Sequence, residues 1–376
     1  MRVALDVTPA VRQAGGIGRY TQELARALLR RDSHQYVAFA ADRVPARRLE
    51  EALGGAVAPA RSSCLPARAH TVLWHRLRLP VPAELWTGPV DVFHATDFLA
   101  PPLARARSVV TVHDLSFLRR PDRAAPSLRR FLARAVPRAV RRAGHVLTDS
   151  SSTRRDVLEL LGADPERVSV AYPGVGASFR RVTDAAELER VRVAYGLERP
   201  FVLGVGTLEA RKDWPTLIAA FARAGSLTAT HALVIAGGDG WLAAETRAAA
   251  GLARADVRLL GYAADRDLPA LYTLADAFAY PSVYEGFGLP PVEAMACGAP
   301  TVVSDAPCLP EVVGAAALVV PAGDARALAA ALVRLVGDVP LRARLAAAGV
   351  ERAAGFTWDG CARAAERAYA AVVADC

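Results

Sequence analysis

The stretch Ala277–Asp305, AFAYPSVYEGFGLPPVEAMACGAPTVVSD, reads as strand, loop, helix and strand. AFAYPS and PTVVSD are short apolar runs of strand length. Between them, two glycines and the pair Pro290-Pro291 keep Glu285 on a loop. After the prolines, Val292, Ala294, Met295 and Ala296 read as helix, because a first turn tolerates a missing N–H. Glu293 is then expected in that first turn, near free N–H groups that attract anions. Taken alone, the two glutamates need no ligand: one can complement the helix dipole and the other can be solvated.

Working outward, the same alternation of apolar run and helical pattern occurs in two sets, which predicts parallel sheets joined by crossover helices. The first set of strands is RVALDV, YVAFAA, DVFHAT, SVVTVHD, HVLTDS and VSVAYPGV. The second is FVLGVGTL, HALVIAGG, VRLLGY, AFAYPS, PTVVSD and AALVVP. Each makes a doubly wound Rossmann-like domain, so the fold class is α/β. A chain of 376 residues exceeds what one core holds, in agreement with two domains. The polar stretch from Gly176 to Pro200 holds a helix and no strand, and sets the division at 1–178 and 179–359. The amphipathic segment 360–376 is expected to pack back on the first domain. In such sheets ligands bind beyond the carboxyl ends of the strands, so two domains facing across a cleft present two sets of strand-end loops to it.

Composition removes several classes. Apolar residues make up 53% and charged residues 22%, which describes ordered globular domains. MRVALDVTPA reads as a first strand and not as a signal peptide, and no run is long and apolar enough to span a membrane. The five scattered cysteines, Cys64, Cys297, Cys308, Cys361 and Cys376, lack metal-site spacing and read as reduced cytosolic thiols. A cytoplasmic protein is expected, with no metal and no cofactor. The formal net charge of +8 is concentrated between Arg119 and Arg142, where nine arginines accompany one acid. There Leu128, Phe131, Leu132, Ala135 and Val136 follow helical spacing, with Arg130, Arg134 and Arg138 on another face. That is either a solvated helix face or a peripheral contact for anionic lipid at the inner membrane face. Nucleic acid is disfavoured, because aromatic residues are not regularly interleaved with the arginines, Phe131 being the one aromatic in the stretch. Lys212 is the only lysine among 46 basic residues, which marks a place where a compact ammonium is needed.

The chemistry-bearing motifs fall on the strand-end loops. RQAGGIGRYTQELARALLRR opens a helix with Gly15, Gly16 and Gly18, whose backbone N–H groups can approach an anion. A dinucleotide fingerprint with Asp42 as the ribose acid fits poorly, since Thr21 stands at the third glycine position and a long loop separates the strand from Gly15. His113 ends the run VVTVHD, with Asp114 beside it to cap or orient. GVGTLEARKDW places Gly206, Thr207, Arg211 and Lys212 on one strand-to-helix loop, a cation pair suited to a diphosphate. VIAGGDG supplies Gly238 on a second glycine loop. In DRD, Asp265 to Asp267, the acids read as a helix cap before Leu268 and not as a metal pair.

The segments GTLEARKDWPTL, LLGYAADRDLPALYTLADAFAYPSVYEGFGLPPVEAMACGAPTVVSD and LPEVVG resemble the retaining nucleotide-sugar glycosyltransferases of family 4, which have the GT-B fold. GGIGRY and TVHDLSFL resemble the bacterial mannosyltransferase-like branch. The resemblance covers nearly the whole chain. It implies hexose transfer from a nucleotide-sugar, with mannose from GDP-mannose favoured by the branch, to a saccharide, a lipid-linked saccharide or a natural-product hydroxyl. By the same resemblance Glu293 accepts ribose hydroxyls and Glu285 lies beside the donor sugar. The backbone of Phe287, Gly288 and Leu289 holds sugar hydroxyls and phosphate, while Arg211 and Lys212 neutralise the leaving diphosphate. Gly16 approaches that diphosphate, His113 binds the donor sugar near its reacting carbon, and the loop around Tyr262 contacts the base. Front-face attack without metal is the implied mechanism. Two places depart from the family pattern: Thr207 stands where many members have arginine, and YPGV where many have asparagine before Gly-Val. A nucleotide-sugar epimerase of the same fold and a non-enzymatic sugar-binding module are the competing classes.

Overall fold

Val3 to Leu5, Phe93, Val109 to Val112 and Val202 to Leu203 are fully or almost fully buried, which continuous apolar strands achieve only when helices cover both faces of a parallel sheet. The computed structural model, described for residues 1–13, 15–55 and 59–374, contains two such sheets. The first has the order β3-β2-β1-β4-β5-β6-β7. Its strands are β1 (Arg2–Asp6), β2 (Gln35–Ala40), β3 (Ala60–Ser62), β4 (Val92–Ala95), β5 (Arg107–Val112), β6 (His145–Thr148) and β7 (Val168–Val170). The second has the order β10-β9-β8-β11-β12-β13. It comprises β8 (Phe201–Val205), β9 (Ala232–Ala236), β10 (Val257–Gly261), β11 (Ala277–Tyr280), β12 (Thr301–Ser304) and β13 (Leu318–Val320). Every ladder is parallel; Leu5 pairs with Ala38 on one side and His94 on the other. Edge strand β3, only three residues long, has no counterpart in the sequence-derived set.

Two compact units contain these sheets. One is formed by 1–119, 126–174 and 357–376, the other by 120–125 and 175–356. The arginine-containing segment 120–125 thus groups with the second sheet, although the sequence reading kept it with the first. Helix Trp358–Ala374 belongs to the first unit; Asp375 and Cys376 lie outside the described residues. Its Tyr369 hydroxyl meets His94 Nδ1 at 2.7 Å in the core, and Arg31 on helix Gly16–Arg31 binds Asp359 and Glu366. Trp358 and Tyr20 pack edge to face.

Several local expectations are corrected. The segment between β1 and Gly15 is not simply a long loop: it contains helix Thr8–Arg12, and helix Gly16–Arg31 follows. Asp42 is a local anchor, bound to Arg12 at 2.5 Å and to the Ala67 N–H at 3.0 Å. Asp267 precedes Leu268 but does not cap it; its carboxylate binds Arg190 at 2.5 Å and the Tyr195 hydroxyl at 2.9 Å. Helix Leu289–Ala296 begins before Pro290, because Gly288 turns the chain at φ +92°, so Glu293 lies in its second turn. Cys64 is exposed while Cys297, Cys308 and Cys361 are buried, all as free thiols. Among the described residues no helix is long and apolar enough to cross a membrane.

His94 spans Tyr369 and Thr111 in a fully buried site, and burial, with the charge of His113 adding to it, holds its pKa down at about 3. Tyr369→Phe leaves one ring nitrogen without its partner. It is expected to cost about 1–3 kcal/mol in urea unfolding, with the fold retained.

Candidate active site

In the second unit, strand β8 delivers Gly206 and Thr207 to its carboxyl end, and a short turn at Ala210–Lys212 then presents two cations before helix Trp214–Arg223. The turn is fixed by Trp214, whose indole N–H donates to the Thr207 carbonyl at 3.1 Å. Glycine is required next to it: a Cβ on Gly237 would lie 2.0 Å from the Gly206 oxygen. That close approach belongs to Gly237; the expected Gly238 faces open space and accepts the Leu208 N–H at 2.9 Å.

From β11 comes the loop with Glu285. Lys212 Nζ donates to Glu285 Oε1 at 2.6 Å and to the Tyr280 hydroxyl, while Arg211 Nη1 donates to Glu285 Oε2 at 2.8 Å. Arg211 also binds Glu209 at 3.0 Å. The two loops are tied together by the Val283 N–H on the Arg211 carbonyl at 2.9 Å. Lys212 and Glu285 are buried, whereas the Arg211 side chain keeps 24% of its exposure. Burial pushes the Glu285 carboxyl up, but the charges of Arg211 and Lys212 outweigh it and hold the pKa at about 2. Burial, and then the neighbouring Arg211, pull the Lys212 ammonium down; Glu285 opposes them. Burial and Glu285 keep the Tyr280 phenol firmly protonated.

Beyond Glu285, Phe287 is buried and its carbonyl accepts from Cys308 Sγ. At Gly288 a Cβ would meet Leu309 at 2.8 Å, and the positive φ favours glycine as well. Helix Leu289–Ala296 starts there without a side-chain cap, and because Pro290 and Pro291 carry no N–H, Leu289 supplies the one N–H of its first three positions. Glu293, deeply buried, accepts from the Tyr272 hydroxyl at 3.0 Å. Tyr262 follows β10 on the surface, its hydroxyl bound to Asp265 at 3.1 Å.

The first unit has its own polar cluster at strand ends. His113 after β5 sits between two acceptors: Nδ1 is 2.8 Å from Asp149 Oδ2 and Nε2 is 2.8 Å from the Thr96 carbonyl. Nε2 donates to the carbonyl, and a carboxylate at Asp149 favours a second proton on Nδ1, although burial raises the Asp149 carboxyl as well. Burial pulls its pKa down, but the charge and hydrogen bond of Asp149 raise it to about 9. Tyr20 from helix Gly16–Arg31 packs edge-on against the ring at 4.8 Å, which relates the glycine loop to the histidine. Asp114 instead caps a local turn through the Ser116 N–H. Gly15 is the N-cap of helix Gly16–Arg31, with Gly16 its first residue. Gly18 packs so closely that a Cβ would lie 1.9 Å from the Gln13 oxygen.

Sequence reasoning missed Tyr280, Glu209, Asp149 and the half-buried Asp6, whose carboxyl is raised by desolvation to about 6. Their common signal was available: each of Asp6, Asp149 and Tyr280 ends or directly follows a strand, as His113 does. Among the described residues no group of three or more histidine, cysteine or acidic side chains is arranged to hold a metal.

Two parallel-sheet Rossmann-like units, with cations, glycine turns and a buried glutamate on strand-end loops and a second on the helix that follows, define the GT-B class of transferase. The description "Glycosyltransferase Family 4" matches residues 14–179, and "Glycosyl transferases group 1" matches residues 187–352. O-antigen chain mannosyltransferase B of Escherichia coli is 31% identical over 284 residues, covering 74% of each chain. A serotype-specific mannosyltransferase WbdA of Escherichia coli is 30% identical over 267 residues, 69% of this chain; the chain spans only 33% of that protein. The crystal structure of Anabaena Alr3699/HepE in complex with UDP and glucose superposes with a TM-score of 0.75 at 21% identity, covering 97% of this chain and 98% of that one. The chain belongs to glycosyltransferase family 4, and it is a glycosyltransferase.

Two outcomes follow from the charges. Lys212→Met or Glu285→Gln alone leaves a buried charge without its main partner and is expected to cost about 3–5 kcal/mol. The double variant should lose less than the sum of the singles by about 1–3 kcal/mol in a urea-denaturation cycle. For His113 the folded pKa of about 9 lies above the ordinary 6.5, so its stabilisation is complete below pH 6.5 and is lost as pH rises through 9. Unfolding midpoints across that interval should decline for the native chain and stay flatter for Asp149→Asn.

Proposed function

We propose that this glycosyltransferase moves a hexose from a nucleotide-sugar to a saccharide hydroxyl, with retention at the anomeric carbon and without a metal. The observation that carries this reading is the Arg211–Lys212–Glu285 cluster next to the uncapped start of helix Leu289–Ala296. As the bond between the anomeric carbon and the phosphate oxygen breaks, negative charge grows on the diphosphate. Positioned cations and backbone N–H groups stabilise that charge in a water-poor site. Arg211, the more exposed cation, is assigned to the phosphate, while buried Lys212 keeps Glu285 ionised and in place. Phe287, Gly288 and Leu289 offer N–H groups to the phosphate and sugar hydroxyls.

Glu285 is a poor nucleophile in this arrangement. Both of its oxygens accept hydrogen bonds from cations, and its pKa near 2 marks a weakly basic carboxylate. A double displacement through Glu285 is therefore disfavoured, and front-face attack fits better: the acceptor oxygen bonds to the anomeric carbon while its proton passes to the departing phosphate oxygen. Glu293, carried on the same helix, is assigned to the ribose hydroxyls, and exposed Tyr262 to the base. In the first unit Gly15 and Gly16 are assigned to an anionic part of the donor, and His113 to the donor sugar through its positive charge, since its ring nitrogens are already engaged. Mannose, with GDP as leaving group, is the favoured donor, because the similar Escherichia coli proteins are mannosyltransferases by name.

Thermal stabilisation by nucleoside diphosphates and their sugars, measured in the presence of a chelator, tests the donor reading. One base is expected to raise Tm, and Glu293→Ala to abolish the rise. No shift with any nucleotide overturns the assignment. Once an acceptor is found, the anomeric configuration of the product by NMR should match that of the donor. Inversion would remove the front-face mechanism.

A further inference from the structure

At the amino ends of β5, β6 and β7, opposite the strand ends that carry Asp6, His113 and Asp149, the first unit has a pocket of about 410 Å³. Five arginines line it: Arg78, Arg107, Arg138, Arg142 and Arg167. No carboxylate is among its lining residues. Arg167 is fixed by its own bond to the Gly144 carbonyl at 3.1 Å, and Arg107 begins β5 with its N–H on the Asp91 carbonyl. The Arg167 guanidinium is thus held in place, and the arginine-rich wall suits a group with several anionic oxygens.

Arg107 also lines a second and larger pocket, of about 800 Å³, whose other walls include Pro82, Leu85, Pro89, Val90 and Val373. One residue therefore joins a cationic compartment to one whose open surface is mainly apolar, with Arg2, Glu84, Asp91 and Arg105 also lining it. Beside them two leucines are strongly exposed: Leu77, next to Arg78 of the first pocket, at 62%, and Leu85 of the second at 69%. The segment Thr71–Pro80, TVLWHRLRLP, alternates such groups with Arg76 and Arg78. Leucines flanked by arginines enter a bilayer interface while the cations meet its phosphates.

We propose that the paired pockets seat a membrane lipid: the phosphate head group among the five arginines, the apolar chain along the second pocket, with Leu77 and Leu85 in the interface. This refines the expected contact of 119–142, since only the carboxyl-terminal half of helix Pro126–Arg142, through Arg138 and Arg142, reaches the head-group pocket. The site is distinct from the donor loops and does not depend on the donor reading.

Co-sedimentation of the full chain with phosphatidylcholine vesicles, containing or lacking phosphatidic acid, tests it. Retention is expected only with phosphatidic acid. The exposed pair Arg138→Glu and Arg142→Glu should weaken it about 30-fold, and Leu85→Asp about tenfold. Far-UV circular dichroism and the thermal unfolding midpoint without ligand should be unchanged in both variants and confirm that they are folded. Equal retention by vesicles carrying the same charge as phosphatidylserine would reduce the effect to surface attraction and overturn the head-group site. Binding of inorganic pyrophosphate without any vesicle retention would show a soluble anion as the occupant and overturn the lipid assignment. Unchanged retention by the arginine pair would also sink it.

Discussion

One buried carboxylate held between two cations organises the second unit. Glu285 comes from the β11 loop, and Lys212 and Arg211 from the β8 loop, so their ion pairs close one strand end onto another. Without partners, an ionised carboxylate in this position would be strongly disfavoured by burial. With them, it becomes the fixed reference against which Tyr280, Glu209 and the start of helix Leu289–Ala296 are placed. The uniqueness of Lys212 fits this constraint. An ammonium is small enough to sit under Glu285 beside Tyr280 within a covered site, while a guanidinium would demand a planar fork of partners. Stability and chemistry meet in the same few contacts: what keeps the loops closed also sets the charge that a leaving diphosphate would encounter.

The two units solve the charge problem with opposite signs. In the second, a carboxylate is enclosed by cations; in the first, an imidazolium is enclosed by Asp149 and a carbonyl. Both devices sit at carboxyl ends of parallel strands, where the sheet places its loops and where a ligand can be reached by many elements. Each ring nitrogen of His113 is already committed, which fixes the orientation of the ring.

Much of the fold was legible because parallel strands buried on both faces leave continuous apolar runs. Twelve of the thirteen strands stand out in that way, including RVALDV and FVLGV. The short β3 escaped, since ARS is half-polar and three residues long, an edge strand defined by its neighbour β2 and not by its own sequence. Within the site, glycines and the lone lysine were readable because their chemistry is unusual. The exact start of the helix bearing Glu293 was not, because Gly288 rather than the prolines makes the turn. Nor could sequence tell that Asp267 would bind Arg190 and Tyr195, which are far away along the chain. Asp149 went unremarked for a similar reason: its partner His113 is 36 residues earlier, and only the β5–β6 ladder brings them together.

Helix Trp358–Ala374 gives the chain an order of assembly. It completes the core of the first unit through Tyr369 and Trp358, yet it is synthesised after the whole of 175–356. A ribosome exposes β1 to β7 early, with His94 and the face of β5 and β6 uncovered, and releases the covering helix only after 175–356. The second unit, nearly contiguous in sequence, can close while the first is still waiting. The domain that starts first therefore finishes last, and its open sheet face is the part of the nascent protein most in need of protection.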